Sequence, residues 1–220
     1  MRVLVVAAHP DDELLGVGAT IARHVDAGDT VTAVVVSEGA TTRYGAAGER
    51  TLVDAGRAAA AVLGVADLRF LGLPDQHLDA RPILEVIQAV EGVTRDVRPE
   101  IVYTHHWGDV NRDHRVVSEA VLVACRPVGP DAPRRLLCFE TPSSTEWSAP
   151  DPASAFVPNW FVDATSTIEK KLAAMACYPT ELRPPPHPRS LESLRSRAQY
   201  WGQIAGRSYA EAFVLVREIA

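Results

Sequence analysis

The chain has 220 residues, 47% of them apolar and 23% charged, with a formal net charge of −6. That length buries one sizeable core without calling for a second domain, and the composition excludes extensive disorder. The acidic balance, with no basic stripe to neutralise phosphates, argues against a nucleic-acid binder.

Residues 3–8 (VLVVAA) read as a buried strand, because the run is aliphatic and Pro10 forbids its continuation within a sheet. His9, Asp11, Asp12 and Glu13 follow at once, and an apolar run of helical period over 14–27 comes next. An imidazole and three carboxylates are therefore packed where a strand turns into a helix, the edge at which open α/β sheets hold ligands. A helix cap accounts for one of these acids but not for the whole packet. Gly28 closes the helix, 30–36 (TVTAVVV) is a second strand, and 37–49 is a polar, glycine-containing loop over the same edge. An Ala-rich helix over 51–63, a strand over 67–71, a helix over 82–94 with Pro82 in its first turn and a strand over 100–104 continue the alternation. THHWGDVNRDH at 104–114 runs into an amphipathic helix over 116–126, and 135–139 is the fifth strand.

The last third is less regular. A short strand at 160–162 and helices over 167–177 and 191–204 flank a stretch at 178–190 too rich in proline to be helical. The final segment, 209–219, reads equally as an edge strand or a short helix. Four β-to-α alternations predict a three-layer α/β fold with a mainly parallel central sheet. The expected organisation is one domain over 1–220, with 140–220 covering the site. Cys125, Cys138 and Cys177 are odd in number and form no CxxC pair, which predicts buried thiols in a reducing compartment. No signal-peptide pattern opens the chain and HPDDE interrupts its first apolar run, so a cytoplasmic protein without an integral membrane segment is expected.

His105, His106, Asp109, Asn111, Asp113 and His114 follow a strand and precede a helix, as His9 to Glu13 do. Two such loops at one sheet edge can meet across a crevice. His9, Asp12 and His114 together suit Zn²⁺, since two imidazoles and one carboxylate leave a coordination position open. Mg²⁺ does not ordinarily recruit two histidines, whereas Fe²⁺, Mn²⁺, Co²⁺ and Ni²⁺ accept the same donors. The competing view of His114 is a capping or salt-linked histidine beside Asp113.

AHPDDE at 8–13 and the Asp113-His114 pair ahead of an amphipathic helix resemble the LmbE-like or PIG-L-type metal-dependent N-deacetylases. LGLPDQHLD at 71–79 and the PHPRS and YAEAF segments extend the likeness over nearly the whole chain. The resemblance implies a Rossmann-like fold and removal of acetyl from N-acetylglucosamine units. It also implies His9, Asp12 and His114 as zinc ligands, Asp11 as general base, Asp113 as a residue orienting a histidine, and Asp75 near the substrate. One position departs from the pattern: Asn111 stands where many members have a histidine serving the acid or oxyanion side. Asn can donate to an oxyanion but is no ordinary general acid.

Protonation of a leaving amine then falls to Asp11 on the return step, or to His187, held between prolines in PPPHPRS. His105 and His106 compete for that role, since strand alternation turns only one of them to the site. Arg43, Tyr44 and Arg189 are candidates for anionic or hydroxyl groups, and His106 for a substrate contact. Trp107 and Trp147 are suited either to stacking on a ring or to pinning their loops. Neither GxGxxG nor GxSxG occurs, which removes dinucleotide binding and serine-nucleophile chemistry. The leading expectation is a zinc-dependent hydrolase that frees acetate from an amino sugar or a sugar-bearing small molecule such as a glycoside or biosynthetic intermediate. The alternatives are a non-hydrolytic metal- or carbohydrate-binding protein and a metal hydrolase of a non-sugar amide or phosphoester.

Overall fold

The computed structural model describes residues 1–37 and 50–220 in full, and the backbone of 41–49 as the start of a helix. The strands are β1 (Arg2–Ala7), β2 (Thr30–Ser37), β3 (Asp67–Leu73), β4 (Ile101–His105), β5 (Arg135–Phe139), β6 (Trp160–Asp163) and β7 (Ala210–Glu218). They form one sheet in the order β3-β2-β1-β4-β5-β7-β6. β1 to β5 are parallel to one another, and β7 runs against both its neighbours. The helices are α1 (Asp12–Asp26), α2 (Thr41–Leu63), α3 (Ile83–Val97), α4 (Arg112–Ala124), α5 (Ile168–Met175) and α6 (Leu191–Ala205).

Alternation along β1 builds the three layers. Val3 and Val5 join a core with residues of α1, α2, α5 and α6, while Leu4 and Val6 join one with α3 and α4 on the opposite face. Strand order reverses at the β1–β4 pair, where Val6 lies opposite Thr104. The loops leaving these two strands must diverge to opposite faces, which opens a crevice between them.

Three expectations are corrected. The segment at 209–219 contains an interior strand: Phe213 pairs with Phe139 on one side and with Trp160 on the other, so both edges of β7 are hydrogen-bonded and β6 is the edge strand. α2 begins at Thr41, inside the stretch read as a loop; Arg43 and Tyr44 lie outside the residues whose side chains are described. α4 begins at Arg112, so Asp113 and His114 stand in the first turn of a helix rather than in the loop before it. Cys125 and Cys138 are buried free thiols, whereas Cys177 is only half-buried. Among the described residues no helix is long and apolar enough to cross a membrane.

Two contacts fix α1, whose first residues belong to the site. Gly16 lies against Phe139 of β5 so closely that a Cβ there would come within 2.2 Å of the ring. A buried ion pair then enters the helix itself. The Glu211 carboxylate of β7 accepts the N–H groups of Ala19 (3.1 Å) and Thr20 (2.7 Å), which in an uninterrupted helix would serve Leu15 and Gly16. Lys171 of α5 donates to the Leu15 carbonyl at 2.9 Å and to Glu211 at 2.6 Å. Removing one member leaves both a buried charge and backbone groups without partners. Lys171→Met is therefore expected to lower unfolding free energy by about 3–5 kcal/mol in urea titrations. A change under about 1 kcal/mol would show that the pair contributes little.

Candidate active site

β1 ends at Ala7, and the chain reaches α1 through one strained residue. Asp11 has φ 97 and ψ −25, a left-handed conformation that costs a non-glycine residue on the order of 1–3 kcal/mol. Its side chain makes no capping bond to α1. It points to Arg189, whose Nη1 lies 3.3 Å from Asp11 Oδ2 and 2.9 Å from Glu181 Oε2. Asp12, the next residue, turns the other way.

Asp12 Oδ2 accepts the His9 N–H at 2.8 Å and lies 3.2 Å from both His9 Nδ1 and His114 Nε2. Those two ring nitrogens are themselves 3.2 Å apart. Three donor atoms thus form a nearly equilateral triangle. Donors about 2.0–2.1 Å from a tetrahedral zinc are separated by about 3.3 Å, so the triangle has the dimensions of one face of such a site, with a fourth position left open. Two imidazoles and a carboxylate fit a divalent transition metal in chemistry as well as in size.

The groups behind the triangle hold its rings. His9 Nε2 lies 3.1 Å from Asp113 Oδ2 and 3.5 Å from Asp75 Oδ1. Asp113 also accepts the backbone N–H groups of Gln76 (2.8 Å) and Leu78 (3.1 Å). His9, Asp75 and Asp113 form a second cluster of metal-capable donors, but Asp113 is already engaged with two amides, the pattern of a carboxylate that orients a ligating imidazole. His114 Nδ1 is 3.2 Å from Asp109 Oδ1, and Asp109 receives the hydroxyls of Ser144 and Thr145. Asp113 therefore faces His9 and not its neighbour His114.

Electrostatics separate the two adjacent aspartates. Burial pushes both up, but the charge of His114 and hydrogen bonds from His114 and His9 outweigh it at Asp12, which falls well below the usual carboxylate range. At Asp11 burial and the neighbouring Asp12 charge prevail over Arg189, and its pKa rises well above that range. Burial also opposes protonation of His9 and His114, yet Asp113 and Asp12 raise His9 to about 10 and Asp12 and Asp109 raise His114 to about 9. Glu13, buried beneath Asp11 and bonded by Tyr178 at 3.0 Å, is pushed up to about 7 by burial.

A cleft of about 130 Å³ opens onto the triangle, lined among others by Asp11, Asp75, Gln76, Asn111, Ser143 and Arg189. Asn111 is the N-cap of α4: its carbonyl oxygen accepts the Asp113 N–H at 2.9 Å, which leaves its NH₂ as a donor. His105 and His106 are not candidates for an acid here. His105 Nε2 accepts the Ala8 N–H at 2.9 Å, Nδ1 is 3.0 Å from the Thr141 hydroxyl, and burial drives its pKa down to about 3. His106 Nε2 lies 2.9 Å from the Ser154 carbonyl. His106 and Trp107 do not line the cleft; Trp107 packs at a tilt against His106 and donates to the Ala153 carbonyl, pinning the 151–154 turn. His187 does not line the cleft either, since its Nδ1 accepts the Arg189 N–H and its ring packs on Trp147.

Gln76, Glu181, Ser143 and Tyr178 were missed by sequence reasoning. Gln76 offered one signal, its neighbour Asp75. Its φ of 59 and its Nε2 lying 3.0 Å from His9 Nε2 appear only in the fold.

The family model described as PIG-L, GlcNAc-PI de-N-acetylase, matches residues 4–125. The chain belongs to this family and is a metal-dependent hydrolase of it. A 1D-myo-inositol 2-acetamido-2-deoxy-alpha-D-glucopyranoside deacetylase from Thermobifida fusca is 28% identical over 240 residues, covering 82% of this chain and 83% of the relative. The crystal structure of a conserved protein from Thermus thermophilus superposes with a TM-score of 0.81 at 26% identity, covering 100% of this chain and 96% of that one. GalB, the 4-carboxy-2-hydroxymuconate hydratase from Pseudomonas putida, superposes at 0.73 with 26% identity over 100% and 98% of the two chains. The fold thus also carries chemistry other than deacetylation.

Asp113→Asn keeps the shape of the side chain but weakens its hold on His9. It is expected to lower zinc affinity about 10–100-fold in competition titrations while leaving the circular dichroism spectrum unchanged. Unchanged affinity would mean that Asp113 does not orient the ring.

Proposed function

We propose that this protein is a zinc-dependent deacetylase that frees acetate from an N-acetylated amino sugar or a small glycoside carrying one. The observation that supports it most is the 3.2 Å triangle of His9, Asp12 and His114 with the Asp11 carboxylate beside it in one cleft. His9, Asp12 and His114 would hold the metal, which when bound supplies Lewis acidity toward the amide carbonyl and lowers the pKa of water.

The chain's own groups do the remaining work. Asp11 takes a proton from the attacking water as the new carbon–oxygen bond forms. Arg189 holds the Asp11 carboxylate in place, and Asp11's burial favours the protonated form that this step produces. The Asn111 NH₂ donates to the carbonyl oxygen as negative charge develops on it. Asp11 then passes the proton to the amide nitrogen, the carbon–nitrogen bond breaks, and acetate and an amine leave. This assignment needs no second acid and accommodates the position of His187 outside the cleft.

The cleft's size supports a small acyl group. About 130 Å³ is less than the ~300–1,000 Å³ of sites that enclose a drug-sized ligand, so the acetamido end enters and the rest of the substrate lies outside. Its polar lining suits a hydroxyl-rich ring. The family description and the inositol glycoside named for the Thermobifida relative support the amino-sugar class.

The likeness to a hydratase favours one other reading, in which the same groups add water to a carboxylated substrate. Product analysis separates the two: deacetylation yields acetate and a free amine, hydration a single product heavier by one water. Asp11→Asn is expected to reduce acetate release by about 10²–10⁴-fold with metal content retained. Near-wild-type turnover in that variant would remove Asp11 as the base.

A further inference from the structure

The exposed indole of Trp147 is not explained by the chemistry in the cleft. Trp147 is 56% exposed, its ring nitrogen has no hydrogen-bond partner among the described residues, and its one ring contact is His187, edge to face at 5.7 Å. The segment that carries it does not need the indole as an anchor. Thr141 accepts the N–H groups of Ser144 and Thr145 and donates its own to the Thr145 hydroxyl. Glu146 accepts the N–H groups of Ser143 (2.9 Å) and Ser144 (3.1 Å), and Arg197 of α6 clamps Glu146 at 2.9 Å. Trp107, by contrast, spends its N–H and its ring on holding its own loop.

The position of the pair is equally specific. Ser143 and Ser144, four and three residues before Trp147, line the cleft, as does Arg189, two residues after His187. Trp147 and His187 thus belong to segments that supply two walls of the cleft, and their ring contact joins those segments at an exposed indole. Pro186 and Pro188, on either side of His187, line an open groove with Tyr200 and Trp201. A substrate whose acetamido end fills the cleft can extend along these two walls to the pair.

We infer that Trp147, backed by His187, is a stacking subsite for a second ring, the saccharide unit joined to the acetamido sugar. This rests on the proposed deacetylase function. The indole presents a flat apolar face to the C–H face of a pyranose, and the rigid loop removes the entropic cost of ordering it on binding. His187 acts as a positioning residue that holds the indole in place.

The experiment compares N-acetylglucosamine with N,N′-diacetylchitobiose on the zinc-loaded protein. Trp147→Ala is expected to raise KM for the disaccharide about 3–10-fold and leave KM for the monosaccharide and both kcat values unchanged, with Trp147→Phe recovering most of the loss. An equal effect on the two sugars, or none, overturns the subsite. Tryptophan fluorescence gives a readout without turnover: the disaccharide quenches wild type, and Trp147→Phe abolishes the quenching. If wild type releases acetate from neither sugar, the proposed function fails, and the subsite is judged by quenching alone; no quenching overturns it.

Discussion

Asp12 Oδ2 is the atom on which the site depends. Three nitrogens approach it: the His9 amide at 2.8 Å, and His9 Nδ1 and His114 Nε2 at 3.2 Å. A buried carboxylate without such partners would be driven toward its neutral form. Here the nitrogens keep it anionic, and they come from two strand ends that only parallel pairing of β1 with β4 makes adjacent. Each ring then needs its own support. His9 leans on Asp113, which leans on the Gln76 and Leu78 amides; His114 leans on Asp109, which leans on Ser144 and Thr145. The loops after β3, β4 and β5 are thereby tied to the one after β1. His105 adds a further tie, with Ala8 on one ring nitrogen and Thr141 on the other.

Two consecutive aspartates obtain opposite properties because the backbone turns between them. The positive φ of Asp11 sends its carboxylate toward Arg189 and Glu181, away from the imidazoles that surround Asp12. Asp11 consequently lies in an acidic, buried neighbourhood with Glu13 and Glu181, relieved among the described residues by the Arg189 guanidinium. Separation of adjacent acids into one held charged and one held ready to bind a proton is what the proposed water activation and amine release require of a single site. The last third of the chain completes this arrangement by delivering Glu181 and Arg189, while Tyr178 holds Glu13 from below.

Much of this is legible in the sequence. VLVVAA followed by HPDDE marks a strand end with surplus acids, and the second packet before an amphipathic helix marks its partner, because those signals are local. Three features were not legible, for physical reasons. The register that places β7 between β5 and β6 is a long-range pairing, and the run AEAFVLVRE carries no local sign of being flanked on both sides. Gln76 owes its place to a turn at positive φ, which its side chain does not advertise. His187 and Trp107 read as site residues because His and Trp are chemically able; only the direction of their hydrogen bonds, to Arg189 and Ala153, turns them elsewhere. Asn111 is the intermediate case. Its place beside the proposed ligands is visible in the sequence, whereas its capping bond, which determines which end of the amide is available, depends on α4 beginning at Arg112.

The central claim, that His9, Asp12 and His114 hold a metal required for amide hydrolysis, is tested most directly by metal removal and replacement. Dialysis against a chelator is expected to abolish acetate release from N-acetylglucosamine-containing substrates. One equivalent of Zn²⁺ per chain should restore it in wild type, and His114→Ala should neither bind that equivalent nor recover activity. Acetate release that survives complete metal removal, or full recovery in His114→Ala at one equivalent, would contradict it.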